Sequence, residues 1–297
     1  MVRIVLRIST VTDWLEHLWE NRIMKRFAGS ILALIYIFLI GIIELNRRGL
    51  FAEPLASALP TNHFFAVEIT FTVLLLTEVI SLVFALTHSF SRSIGVQLEI
   101  LSLILLRDTF KYFTTFSEPL EWEQVSESIV PMTIDAVGAL AIFLIVSFYY
   151  RLQKSRPITA DDVEQKQFVA YKKLITLGLL IILALIGIVD LVRFTQSLPL
   201  YPFFETFYTI LIFTDVLMVL LSLRYSNKFT VTFRNFSFAV VTVFIRLALI
   251  APTLIAVIMG IGTGIFALAV SYAYNYSLRS KTISTAELRQ IDQEPSG

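Results

Sequence analysis

Eight stretches of about 20 mostly apolar residues follow one another along the chain. They lie roughly at 27–46, 64–87, 93–113, 129–150, 171–193, 203–223, 234–251 and 253–276. A helix of about 20 such residues spans the hydrocarbon core of a bilayer. Inside lipid every backbone N–H and C=O must find a partner within the protein, so spanning segments are helices or closed barrels. Barrel strands alternate apolar and polar residues, and these runs are continuous. The expected fold is therefore an all-α polytopic integral membrane protein with eight transmembrane helices. The third run is the least apolar, since it holds Glu99, Arg107 and Asp108. The last two runs abut, and as one helix they would extend about 60 Å, twice the hydrocarbon thickness. Pro252 stands at their junction, where a break is expected.

Composition agrees and narrows the function classes. Hydrophobic residues make up 56% of the 297 and charged residues 16%, with a mean hydropathy of +0.76. Soluble domains carry about 45–50% and about 25%. A net charge of +1 provides no basic face, so nucleic acid is not an expected partner. With no cysteine, thiol catalysis, disulfides and cysteine-held metals are excluded. His63 and His88 flank one apolar run and His17 lies in the N-terminal segment, so axial haem ligation within a span is not expected, nor is any other cofactor. The chain has no glycine-rich phosphate loop, no Gly-x-Ser-x-Gly and no His-Glu-x-x-His. Its loops are too short for a soluble catalytic domain. An enzyme is not expected.

Loop charges orient the spans. Apart from Arg107 and Arg246, which fall inside spans, eighteen Lys and Arg residues collect on one side. They come from the N-terminal segment, Arg92, the 151–173 region, the 224–234 loop and the C-terminal tail. The other side holds four: Arg47, Arg48, Lys111 and Arg193. Both termini are expected in the cytoplasm, in a membrane of the bacterial inner type. Residues 1–10 lack the long apolar core of a cleavable signal. Residues 9–22 read as an amphipathic helix with Val11, Leu15 and Leu18 on one face beside Trp14 and Trp19. Such a helix lies in the membrane interface or binds a partner. The expected organisation is an N-terminal segment (1–26), a four-helix unit (27–150), a polar cytoplasmic linker (151–170), a second four-helix unit (171–277) and a flexible cytoplasmic tail (278–297).

The two units resemble each other. Ile40-Gly41-Ile42-Ile43-Glu44-Leu45 parallels Ile186-Gly187-Ile188-Val189-Asp190-Leu191. At an offset of 137 residues Glu68 falls on Glu205, Thr72 on Thr209, Thr77 on Thr214 and Glu78 on Asp215. Arg107 matches Arg246, and Ile129-Val130-Pro131 matches Ile250-Ala251-Pro252. The polar matches carry the argument, because apolar helices align readily by chance. Four spans per unit make the repeats parallel, related by an axis along the membrane normal.

Charges within spans are costly, about 2.5–3.5 kcal/mol each at mid-bilayer on insertion scales, so they pair, protonate or face water. By depth, Glu44, Glu68 and Arg107 form one cluster and Asp190, Glu205 and Arg246 repeat it. Asp135 adds an acid in the first unit only. Each cluster reads either as a cation or proton site or as an Arg that pins neighbouring helices. Glu78 and Asp215 lie deeper, with no Lys or Arg expected at their level, and Glu99 is placed to approach Glu78. These three are the expected pathway carboxylates. Gly260 and Gly264 form a small-xxx-small pair suited to close helix packing, and Gly41 and Gly187 read the same way. The function expected is a multi-pass transporter or channel, cation- or proton-linked. The alternative is a membrane-embedded scaffold or sensor subunit that binds a partner protein and transports nothing. The expected partners are the lipid bilayer, a small cation or proton, and a second copy or another membrane protein.

Overall fold

The computed structural model describes residues 2–291 apart from 54, 154–161, 197–198, 200–201 and 226–228. The central part of the expected linker and the last six residues of the expected tail lie outside the described residues. Among the described residues ten α-helices run in the order α1 (Val2–Glu20), α2 (Arg22–Arg47), α3 (Leu55–Ala58), α4 (Phe64–Ala85), α5 (Phe90–Lys111), α6 (Trp122–Leu152), α7 (Asp162–Thr195), α8 (Phe203–Leu223), α9 (Phe229–Ile250) and α10 (Thr253–Ile291).

Among the described residues seven helices are long and apolar enough to cross a membrane: α2, α4, α6, α7, α8, α9 and α10. The remaining expected span falls on α5, a helix of sufficient length that is not among the seven and falls short on apolarity. Arg92, Glu99, Arg107, Asp108 and Lys111 lower it. Its position explains how it carries them. Ile94, Leu98, Leu101 and Leu105 of α5 join a core with α6, α9 and α10. Ile100 and Ile104 of the same helix join a second core with α4, α7 and α8. A helix enclosed by protein on two faces does not need the apolar surface that lipid contact demands.

The periphery shows the opposite pattern. In α2 only Ile43 and Asn46 are buried, while Leu34, Phe38 and many apolar residues of α6 and α7 face outward. An apolar belt of this extent belongs against acyl chains. The chain breaks between α9 and α10 at Ala251–Pro252, as Pro252 predicts. Helix α10 continues past the expected end of its span near residue 276, running to Ile291.

Glycines set the closest helix contact. A Cβ on Gly138 of α6 would lie 2.4 Å from Val257 of α10. One on Gly260 or Gly264 of α10 would lie 2.6 Å from Ile142 or 2.8 Å from Ile145 of α6. The expected Gly260/Gly264 pair is thus a packing seam. Gly41 and Gly187 are not: among the described residues a Cβ on Gly41 would meet nothing from other helices within 4 Å, and one on Gly187 only Phe203 at 3.9 Å.

Helix α1 lies across one end of the bundle, called here the α1 end. Its inward side differs from the apolar stripe that the sequence suggests. Thr12 is buried and donates to the Lys173 carbonyl. Lys173 pairs with Asp13, the Thr87 hydroxyl donates to Glu16 at 2.9 Å, and Trp19 donates to Ser81 at 3.0 Å. Val11, Trp14 and Leu18 are exposed. Polar groups therefore dock α1 onto the protein, and the apolar stripe points outward, where an interfacial helix meets lipid.

Candidate functional site

Three helices bring polar side chains together inside the bundle, each at helical spacing. Ser93 and Gln97 are one turn apart on α5, as are Thr242 and Arg246 on α9; on α8 the stripe is Tyr208, Leu211 and Asp215. Gln97 donates to the Ser93 hydroxyl at 2.9 Å and accepts from Arg246 Nη2 at 3.1 Å. Arg246 Nε lies 3.7 Å from Asp215 Oδ2, with side chains 0% and 4% exposed. That separation is too long for a hydrogen bond, and Asp215 Oδ2 and Arg246 Nε and Nη1 have no hydrogen-bond partner.

This pair corrects two expectations. Arg246 was grouped with Asp190 and Glu205, but its partners are Asp215 and Gln97. Glu205 is exposed at the start of α8 and Asp190 is half-buried near the end of α7. Asp215 was expected to lack a cation at its depth. Depth counted along Cα atoms misplaces a long side chain. Helical side chains lean toward their own N-terminus, and α8 and α9 run in opposite directions. Arg246 therefore leans toward the α1 end and Asp215 away from it, until they meet.

Cavities flank the pair. On the α1 side Asp215, Gln97, Ser93, Thr242 and Lys172 line a space of about 20 Å³, room for a single water molecule. Lys172 also lines the adjoining space of about 90 Å³, with His88, Gln165 and Arg234. Lys172 is buried against the rings of Phe90 and Phe168 and donates to the His88 carbonyl. At the opposite end a cavity of about 220 Å³ is lined by Glu68, Arg107, Asp108, Lys111 and Tyr208. A neighbouring one of about 310 Å³ holds Asp135 with Asp108, Lys111 and Thr253. Tyr208 faces the first of these, two helical turns from Asp215 on α8.

The remaining predicted residues are placed as follows. Glu68 and Arg107 share a cavity, but Arg107 pairs with Asp108. Glu44 is bound instead to Arg48 at 2.7 Å and lies 3.4 Å from His63, so the Glu44/Glu68/Arg107 cluster is not assembled. Glu78 is buried with Oε2 unpartnered; its electrostatic neighbours are Arg107 and Asp108, and it lines none of the four cavities. Glu99 faces the Tyr150 hydroxyl of α6 rather than Glu78. Asp135 is 1% exposed and neither of its carboxylate oxygens has a hydrogen-bond partner.

Sequence reasoning missed Gln97, Tyr208 and Lys172. The first had a signal: Ser93 and Gln97 sit one turn apart in an apolar helix, as Thr242 and Arg246 do. It also missed two histidines set between carboxylates at the two ends of α4. His63 lies between Glu118 at 2.9 Å and Glu44 at 3.4 Å. His88 lies 3.6 Å from both Glu16 and Glu20. Burial raises the Glu16 carboxyl above the ordinary range, opposed by the Thr87 hydrogen bond. Burial lowers His88, and Arg92 adds to that effect.

The fold and its apolar belt define a multi-helix membrane protein with an Asp215–Arg246 pair enclosed among its helices. No family model, curated protein or solved structure matches the chain.

Proposed function

We propose that this protein carries a proton or small cation across the membrane, as a transporter or channel, with Asp215 as the carboxylate that meets it midway. The observation that supports this reading most is the Asp215–Arg246 pair: enclosed, loosely held at 3.7 Å, and beside a water-sized space into which Ser93, Gln97, Thr242 and Lys172 reach among apolar side chains. A buried pair optimised for stability would have its remaining donors and acceptors satisfied; this one leaves three atoms unpartnered. Binding of a proton or cation at Asp215 weakens its attraction for Arg246. The guanidinium, still bonded to Gln97, is then free to move toward Tyr208, which lines the far-end cavity.

The same reading places the α1 end in the cytoplasm of a bacterial-type inner membrane, because eighteen loop cations lie on that side. It treats the two halves as parallel repeats. In support, α2, α4, α5 and α6 neighbour one another in series, α7 to α10 do likewise, and α5 meets α9 as α6 meets α10. No chemical conversion takes place in this scheme. Glu78 and Glu99 take no part in it, since Glu78 lines none of the four cavities and Glu99 faces Tyr150.

The test is flux into liposomes that carry the full chain and a trapped pH or cation indicator. Wild type is expected to dissipate an imposed gradient, Asp215→Asn to lose that flux, and Glu78→Gln to keep it. No flux from wild type, or equal flux from Asp215→Asn, overturns the proposal.

A further inference from the structure

The joint between α1 and the α4–α5 turn has the makings of a metal site. Glu16 and Glu20 are four residues apart on α1, so both carboxylates project from one face toward the bundle. His88 comes from a different element, the turn after α4, and its ring stands between them at 3.6 Å from each. One ligand atom from each of the three residues lies within 4.8 Å of the others. Nδ1 faces Glu16 and Nε2 faces Glu20, so holding one ion at the distances of about 2.0–2.2 Å that zinc requires turns one carboxylate toward the ring nitrogen that the other already faces.

Two neighbours outside the trio hold it in place. The Thr87 hydroxyl donates to Glu16 Oε1 at 2.9 Å. The buried Lys172 ammonium donates to the backbone carbonyl of His88. Hydrogen bonds from outside the ligand set orient metal ligands and are part of most metal sites. Asp13, Glu16 and Glu20 line one face of α1; Lys173 pairs with Asp13, and Lys172 and Arg92 act electrostatically on His88. Glu16 and His88 are largely enclosed, with side chains 15% and 17% exposed.

We infer that Glu16, Glu20 and His88 bind a divalent transition metal of the zinc class, which fastens α1 to the bundle beside Lys172. Two carboxylates and one imidazole favour zinc, manganese or iron(II) over magnesium and calcium, which prefer all-oxygen sets. Three protein ligands leave a position for water. The dication balances the two carboxylates. The site stands at the mouth of the cavity that His88 and Lys172 share. This inference is independent of the transport reading, because binding is measured without flux.

The experiment is a calorimetric titration of chelator-stripped full-length protein in detergent with zinc chloride. Wild type is expected to take up one zinc ion per chain in a saturable step that magnesium does not displace. His88→Ala and Glu20→Gln are each expected to weaken that step at least tenfold, while His63→Ala leaves it unchanged. Glu20 is exposed at the helix end, so the melting temperature of metal-free Glu20→Gln is expected to match wild type, which separates lost ligation from misfolding. Zinc is further expected to slow amide exchange over residues 10–20 in wild type and not in His88→Ala. Absence of a zinc step in wild type, an unchanged step in both ligand variants, or its loss in His63→Ala overturns the inference.

Discussion

Arg246 and Asp215 face each other at 3.7 Å from antiparallel neighbours α9 and α8, with neither side chain more than 4% exposed. Breaking such a pair from one side strands a buried charge, at about 3–5 kcal/mol in proteins generally. Arg246→Met is therefore expected to lower the melting temperature in detergent sharply. The double variant Asp215→Leu with Arg246→Met is expected to recover much of the loss, since it strands nothing. Losses that simply add would show that the two residues are not coupled.

The α6–α10 seam makes a size-dependent prediction. Gly260→Leu drives side-chain atoms into Ile142 and Leu101, which a Cβ alone would approach to 2.6 and 3.2 Å. Overpacking of this kind costs about 1–3 kcal/mol or more. Gly262, two residues on, has no neighbour within 4 Å, so Gly262→Leu is expected to melt close to wild type. Similar melting of the two variants would contradict the seam.

Tyr149 is fully buried, and its hydroxyl donates to the Ser91 carbonyl at 2.7 Å, tying α6 to the start of α5. Tyr149→Phe keeps the ring and removes the donor. The expected loss is about 1 kcal/mol, the usual net value of one hydrogen bond, read as a modest fall in thermal midpoint.

The two tryptophans of α1 are expected to report different surroundings. Trp14 is 63% exposed on the outward stripe. Trp19 donates to Ser81 and lies beside Phe84, with ring centroids 6.4 Å apart. In single-tryptophan variants, lipids brominated near the headgroup are expected to quench Trp14 strongly and Trp19 weakly. Equal quenching would mean that α1 is not docked on the side described.

Much of this architecture was legible in the apolar runs, because lipid demands continuous apolar helices wherever it touches protein. The break at Pro252 and the Gly260/Gly264 seam were legible for similarly local reasons. Helix α5 shows where that logic weakens: enclosed by two cores, it is released from the lipid requirement, and its charges obscure it as a span. Asp215 and Arg246 were visible one by one, but their pairing was not, and Gln97, Tyr208 and Lys172 were not singled out at all. Arg246 was assigned by depth to Glu205 and Asp190, whereas the lean of its side chain along α9 takes it to Asp215. Matched positions in the two halves also meet different surroundings. Glu78 has Arg107 and Asp108 as electrostatic neighbours, while its counterpart Asp215 faces Arg246, because neighbours contributed by distant segments decide what each acid meets.

The glycine seam has a mechanical consequence. Ile142 and Ile145 sit over Gly260 and Gly264 like teeth in notches, so α6 and α10 cannot slide past each other along their lengths without lifting apart. Relative motion between the two halves of the chain is left with rotation about that line. Asp215 on α8 and Arg246 on α9 both lie on the α10 side of that line, so such a rotation carries the pair as one body.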